Sequence, residues 1–234
     1  MRRFYERVSV TKVDGGHSVL LDERELKTPA KRPLHLPSAE LAALVANEWN
    51  SQDGEIRPDN MLHTRLASTA VDRVAENVDA TIAEFGRYVG SDLLCYRAEG
   101  PAPLVELQAS RWDPLLAWAQ QRYDVSFEVT AGVMHVPQSQ ETQNRLIQAA
   151  GECLFRLTGL AHTTALSGSA VIALAICAGH IDAQEAFAAA CLDDLHQQEV
   201  WGEDPAQKDR LANISLELAA MSVYFQALSS DKNS

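Results

Sequence analysis

The chain has 234 residues, 46 % of them hydrophobic and 22 % charged, which excludes a disordered polymer and allows a sizeable core without disulfides or metal. With 32 acidic against 20 basic residues the net charge is −12, so there is no overall basic footprint for nucleic acid, and an anionic membrane would repel the chain. The same acidity suits a partner with a basic patch.

In chain order, Phe4 to Thr11 alternates through Tyr5, Val8 and Val10, and Asp14-Gly15-Gly16 supplies a turn. Ser18 to Leu21 continues the β pattern. After Asp22-Glu23-Arg24 come Glu25 to Thr28 and an extended piece at Leu34-His35-Leu36, bracketed by Pro29 and Pro33. These short strands predict a small antiparallel sheet. At Ser38 the period becomes helical, with Leu41, Val45 and Trp49 on one face, and Asp53-Gly54 ends the helix. Ile56-Arg57-Pro58 reads as a linker. The expected fold is therefore α+β: an amino-terminal domain over residues 1–58, a sheet with one packed helix, followed by a mainly α-helical bundle domain over residues 59–234.

The helical part shows stripes at Leu62, Leu66, Ala70 and Val74, and at Val78, Ile82, Phe85 and Val89. A third runs through Val105, Ala109, Trp112, Leu116, Ala119 and Tyr123, where Pro114 either kinks the helix or starts a new one capped by Asp113. Val125 to Thr130 alternates and is expected as a short strand. Thr163 to Ala178 is apolar on nearly every side, as a central bundle helix should be, with Gly179 ending it. Asp182 with Glu185 forms a capping box, and Asp204-Pro205 with Gln207 starts the last helix. That helix carries Leu211, Ile214, Leu218, Met221, Phe225 and Leu228, a stripe that must bury against something.

Motifs for chemistry are absent from the sequence. No G-x-x-x-x-G-K-[ST] and no G-x-G-x-x-G occurs, the 7 histidines show no metal-ligand spacing, and neither cofactor nor metal is expected. Cys95, Cys153, Cys177 and Cys191 offer no C-x-x-C, so they read as free thiols in a reducing compartment. The first ten residues lack the apolar stretch of a secretory signal, and Ala170 to Ala178 is too short to span a bilayer. A soluble cytoplasmic protein without membrane insertion is expected.

Two groups of residues invite functional readings. His162, Ser167 and Asp92 could converge as a small-molecule enzyme site; a residue placed as Asp92 is more often a helix cap or a partner for an arginine such as Arg87 or Arg97. Gln197 to Asp204 places Trp201 beside Glu199, Glu203 and Asp204, either as an anchored interhelical loop whose tryptophan fills a gap or as a partner-contact surface.

Taken together, several blocks resemble one family. They are Leu26-Lys27-Thr28-Pro29, Glu48-Trp49, Thr64-Arg65-Leu66, Thr69-Ala70-Val71-Asp72, Asp92-Leu93-Leu94-Cys95-Tyr96-Arg97, Trp112-Asp113-Pro114, Ser167-Gly168-Ser169 and Trp201-Gly202-Glu203-Asp204. They are similar to the assembly chaperones that attend the alpha subunit of the F-type ATP synthase head in mitochondria and some bacteria, the "ATP twelve" family. His63 stands where leucine is expected, a departure without evident consequence. The resemblance implies a binding protein and not an enzyme, one that covers the alpha-subunit surface destined for the beta subunit and is monomeric when free. It also implies an important acidic residue near the Trp-Gly pair: Glu199 first, then Glu203 and Asp204. The chain starting at the first motif suits a bacterial member. The alternatives are the enzyme above and a self-associating module joined through the last helix. Lacking a phosphate-cradling loop, the purified protein is predicted neither to bind nor to hydrolyse ATP; stoichiometric heat on calorimetric titration with nucleotide would contradict this.

Overall fold

The computed structural model describes residues 2–202 and 204–229. The expected α+β class is what it shows. Strands β1 (Val8–Val13), β2 (Gly16–Leu21) and β3 (Arg24–Glu25) form an antiparallel sheet in the order β1-β2-β3, with Val10 opposite Val19 and Lys12 opposite His17. Only β2 sends a clear alternating pair, Val19 and Leu21, into the core. The expected third and fourth strands shrink to two residues plus isolated bridges, Lys27 with Pro33 and His17 with Leu36. The two prolines lack the N–H a longer ladder needs.

Helix α1 (Ala39–Asn50) starts where Ser38 Oγ accepts the N–H of Leu41 at 3.1 Å, and buries Leu41, Ala42 and Val45. A 3₁₀ turn at Pro58–Asn60 leads into α2 (Leu62–Thr69), which loosens into a π turn at Ala70–Val74. The π turn preserves burial of Leu66, Ala70 and Val74 on one stripe.

The remaining helices are α3 (Val78–Gly90), α4 (Ala102–Tyr123), α5 (Gln140–Ala150), α6 (Leu154–Ser167), α7 (Ala170–Cys177), α8 (Ala183–Ala190), α9 (Leu192–Trp201) and α10 (Pro205–Ser229). A minimal parallel pair joins β4 (Tyr96–Arg97) to β5 (Thr130–Ala131), which is all that forms of the strand expected over Val125 to Thr130. Helix α4 runs through Pro114 without restarting. Asp113 therefore caps nothing, and bonds Arg97 at 2.7 Å instead. Asp182 and Glu185 close the capping box on α8.

The expected single helix from Thr163 to Ala178 is two helices. Gly168 adopts φ +74°, which ends α6, and Ser169 Oγ accepts the N–H of Ile172 to start α7. Apolar composition hid the break because α7 is buried from Ala170 to Ile176. Among the described residues α10 alone has the length and apolarity to cross a membrane, and much of its apolarity is the buried stripe Leu211, Ile214, Leu218, Met221 and Phe225.

Contacts divide the chain into two compact units, with limits that differ from one cut at Pro58. The sheet-bearing unit runs to Val78 and takes in Cys153–Gly159 and the chain from Val223; the helical unit comprises Asp79–Glu152 and Leu160–Ser222. In the first, α2 has no side-chain cap of its own, because Met61 occupies the cap position. The carboxylate of Glu48 on α1 replaces it. Oε1 accepts the His63 N–H at 2.7 Å, and Oε2 accepts the Thr64 N–H at 2.8 Å and Thr64 Oγ1 at 2.7 Å. His63 Nδ1 lies 2.9 Å from Oε1, and the ring stacks 6.3 Å from that of Tyr224. The histidine thus has the evident consequence that the sequence did not disclose.

Burial alone would raise the Glu48 pKa, but the bonds from His63 and Thr64 hold it below the usual range. A depressed folded-state pKa stabilises above the unfolded value of about 4.3, and the contribution drains away as pH falls through the folded value. Glu48→Ala is expected to cost about 3 kcal/mol in urea unfolding at pH 7. Its difference from wild type should shrink below about pH 4. An unchanged midpoint at pH 7 would show that the cap carries no stability.

Candidate functional site

Helix α9 is fixed at its beginning and free at its end. Leu192 is buried, Asp193 Oδ1 accepts from Gln108 Nε2 at 2.7 Å, and Asp194 binds Gln207 at 3.1 Å and Arg210 at 2.6 Å. These bonds tie its first turn to α4 and α10, all in the helical unit. Of the segment read in sequence as an anchored loop or a contact surface, Gln197 to Trp201 form the end of this helix. It extends to Trp201 because its backbone ladder continues until Gly202 turns at φ +91°.

The tryptophan fills no gap. Trp201 is 85 % exposed and Val200 beside it 57 %, with Glu199 and Asp204 also exposed. Asp204 Oδ1 has a long 3.4 Å contact from the Ala206 N–H at the start of α10, a weak cap that leaves the carboxylate open to solvent. Glu203 lies outside the described residues. The structure therefore presents a large aromatic and a β-branched side chain to solvent among carboxylates. Singly exposed apolar residues are ordinary, but an exposed Trp-Val pair on an anchored helix end has the composition of a binding anchor.

The three candidate catalytic groups take separate partners. Asp92 is fully buried, with Oδ1 accepting the Leu94 N–H and Oδ2 the Val171 N–H, both at 3.0 Å. Burial pushes its carboxyl up to about 6, against bonds from Ser169, Val171, Leu94 and Ala170 that pull it down. It pairs with neither Arg87 nor Arg97; the latter binds Asp113 and the Leu94 carbonyl. Ser167 Oγ donates to the Thr163 carbonyl at 2.7 Å, and His162 Nε2 meets Glu217 at 2.8 Å. Asp92 thus caps the turn at Leu93–Cys95, the helix-cap reading of the sequence, and clasps that turn to the start of α7. Among the described residues no group of three or more His, Cys, Asp or Glu side chains could hold a metal.

Exposure makes Trp201 a clean probe. Trp201→Ala should change the unfolding free energy by no more than about 0.5 kcal/mol. Trp112→Ala should cost about 3–5 kcal/mol, because Trp112 is buried with its indole N–H on the Ala189 carbonyl at 2.9 Å. Equal losses in urea titrations would mean that Trp201 is structural after all.

Three kinds of comparison bear on this arrangement. A family model described as the ATP12 chaperone protein matches residues 2–120, upstream of the Trp201 patch. The mitochondrial protein atp12 of Schizosaccharomyces pombe is 26 % identical over 215 residues, covering 86 % of this chain and 74 % of its own. The crystal structure of Atp12 from Paracoccus denitrificans aligns with a TM-score of 0.91 at 39 % identity over 97 % of both chains. That of Atu1473 from Agrobacterium tumefaciens aligns at 0.92 and 37 %, over 97 % of this chain and 86 % of the other. The chain therefore belongs to the ATP12 chaperone family, which serves ATP synthase assembly.

Proposed function

We propose that this chaperone captures the free alpha subunit of the F-type ATP synthase head and covers the surface that alpha later presents to beta. It acts in the cytoplasm, monomeric when free and without catalysis. A lone subunit taken from a ring exposes an apolar patch that aggregates unless covered. The observation that carries the reading is the outward-facing Trp201, with Val200, Glu199 and Asp204, on a helix held rigidly at its other end. Family membership gives the chaperone role, and the net charge of −12 suits a basic patch on the client. The contact residues in this reading are Glu199, Trp201, Glu203 and Asp204.

An aromatic anchor at an interface centre is worth about 2 kcal/mol or more on truncation, roughly thirtyfold in affinity. In a pull-down with purified alpha subunit, Trp201→Ala is expected to reduce capture by about that factor. Glu199→Lys, Glu203→Lys and Asp204→Lys should weaken it by charge repulsion, with circular dichroism unchanged. Undiminished capture by all four variants would place the binding face elsewhere, and failure of the wild type to capture alpha would remove the partner assignment.

A further inference from the structure

The sheet-bearing unit contains a groove of about 680 Å³ that no catalytic or cofactor motif explains. Trp49, Ile56 and Met61 line it with apolar surface, and Lys27, Arg65 and Arg73 add three exposed cations. None of these cations has a side-chain hydrogen bond or ion pair among the described residues. Asp72, the single acidic residue of the lining, is already committed. Its Oδ1 accepts from Thr28 Oγ1 at 2.7 Å and its Oδ2 from the Ala30 N–H at 3.0 Å. The groove is thus locally positive in a chain of net charge −12. Trp49 adds a second irregularity: its indole N–H is buried with no acceptor among the described residues. Buried donors are rarely left without a partner.

A wholly structural groove has no need of three unpaired cations around an apolar floor. The volume is that of a ligand site able to enclose one or two side chains. Solvated lysine and arginine scattered over a surface would not converge on one cavity lined by Trp49, Ile56 and Met61. The chemistry that complements this lining is an aliphatic or aromatic side chain flanked by carboxylates.

We propose that this groove binds an acidic, apolar-anchored segment of a polypeptide, its central side chain on Trp49, Ile56 and Met61 and its carboxylates paired with Lys27, Arg65 and Arg73. That the occupant is a polypeptide rests on the chaperone role of the family; the charge and the apolar floor are read from the groove itself. The contact is distinct from the Trp201 patch, which is itself acidic and suits a basic surface.

The test is calorimetric titration of the intact protein with synthetic nonapeptides, varied separately in net charge and in the central aliphatic or aromatic residue, with inorganic phosphate as a further probe. Acidic peptides with an apolar centre should bind at least tenfold tighter than lysine-substituted counterparts and weaken as salt rises. The double variant Arg65→Glu/Arg73→Glu should abolish that preference, and Arg65→Gln/Arg73→Gln should reduce it, with circular dichroism unchanged. Equal binding of acidic and lysine peptides, no binding by any, or undiminished binding to the charge-reversed variant would overturn the proposal. Displacement of the peptide by phosphate at equal concentration would do so too, by making the groove a small-anion site. Because alpha subunit is absent from the titration, its outcome is independent of whether the Trp201 patch captures alpha.

Discussion

Four polar atoms converge on the carboxylate of Glu48: the N–H groups of His63 and Thr64, the Thr64 hydroxyl and His63 Nδ1. Removing a carboxylate from water is costly, and only dense, well-placed donors offset it. Here the donors are the exposed end of a helix dipole, which also favours negative charge. One side chain on α1 therefore does for α2 what Met61, at the cap position, cannot. It fixes the helix that carries Arg65 and, through the π turn, Asp72. Asp72 in turn holds Thr28 and Ala30, so the loop beyond β3 is fastened to the same framework. The sheet-bearing unit closes as a circuit of polar bonds around the apolar core of Leu34, Leu36, Leu41, Val45 and Leu66.

This circuit explains which parts of the molecule could be read in advance. Local signals were legible: the β1–β2 hairpin, the helix start at Ser38, the Asp182–Glu185 box and the apolar stripe of α10 are each written within a few neighbouring residues. What escaped was nonlocal. Glu48 looks like any surface glutamate until α2 is placed beside it, and His63 looks like a misplaced leucine until Tyr224 arrives from the end of the chain. The break at Gly168 was masked in the same way. Its flanks are uniformly apolar, so periodicity could not separate one helix from two. The signal that could have found it was Ser167-Gly168-Ser169 itself, read as helix stop and helix start.

The candidate contact shows the opposite weakness. Its residue types were visible, since an aromatic among carboxylates stands out in any helical background. Its exposure was not, because a tryptophan between two capped helices is equally suited to filling a gap. The backbone ladder that runs to Gly202 keeps α9 helical to Trp201, and the bonds of Asp193 and Asp194 fix its first turn. Exposure excludes the gap-filling role for Trp201, and burial is a property of the neighbours that a local pattern does not encode.

A protein that holds an apolar client must expose apolar surface without aggregating with itself. In the proposed contact, exposed Trp201 and Val200 would meet the first demand and the neighbouring carboxylates the second. Two copies approaching through this patch would bring Glu199 and Asp204 of each toward like charges, whereas a basic client surface would meet opposite ones. The net charge of −12 extends the same repulsion to the whole chain at distances within a Debye length. In the proposed contact, discrimination would arise from what the patch refuses as much as from what it binds. The aromatic ring would supply contact area that is indifferent to partner identity, and the surrounding charge would set which surfaces can come close enough to use it.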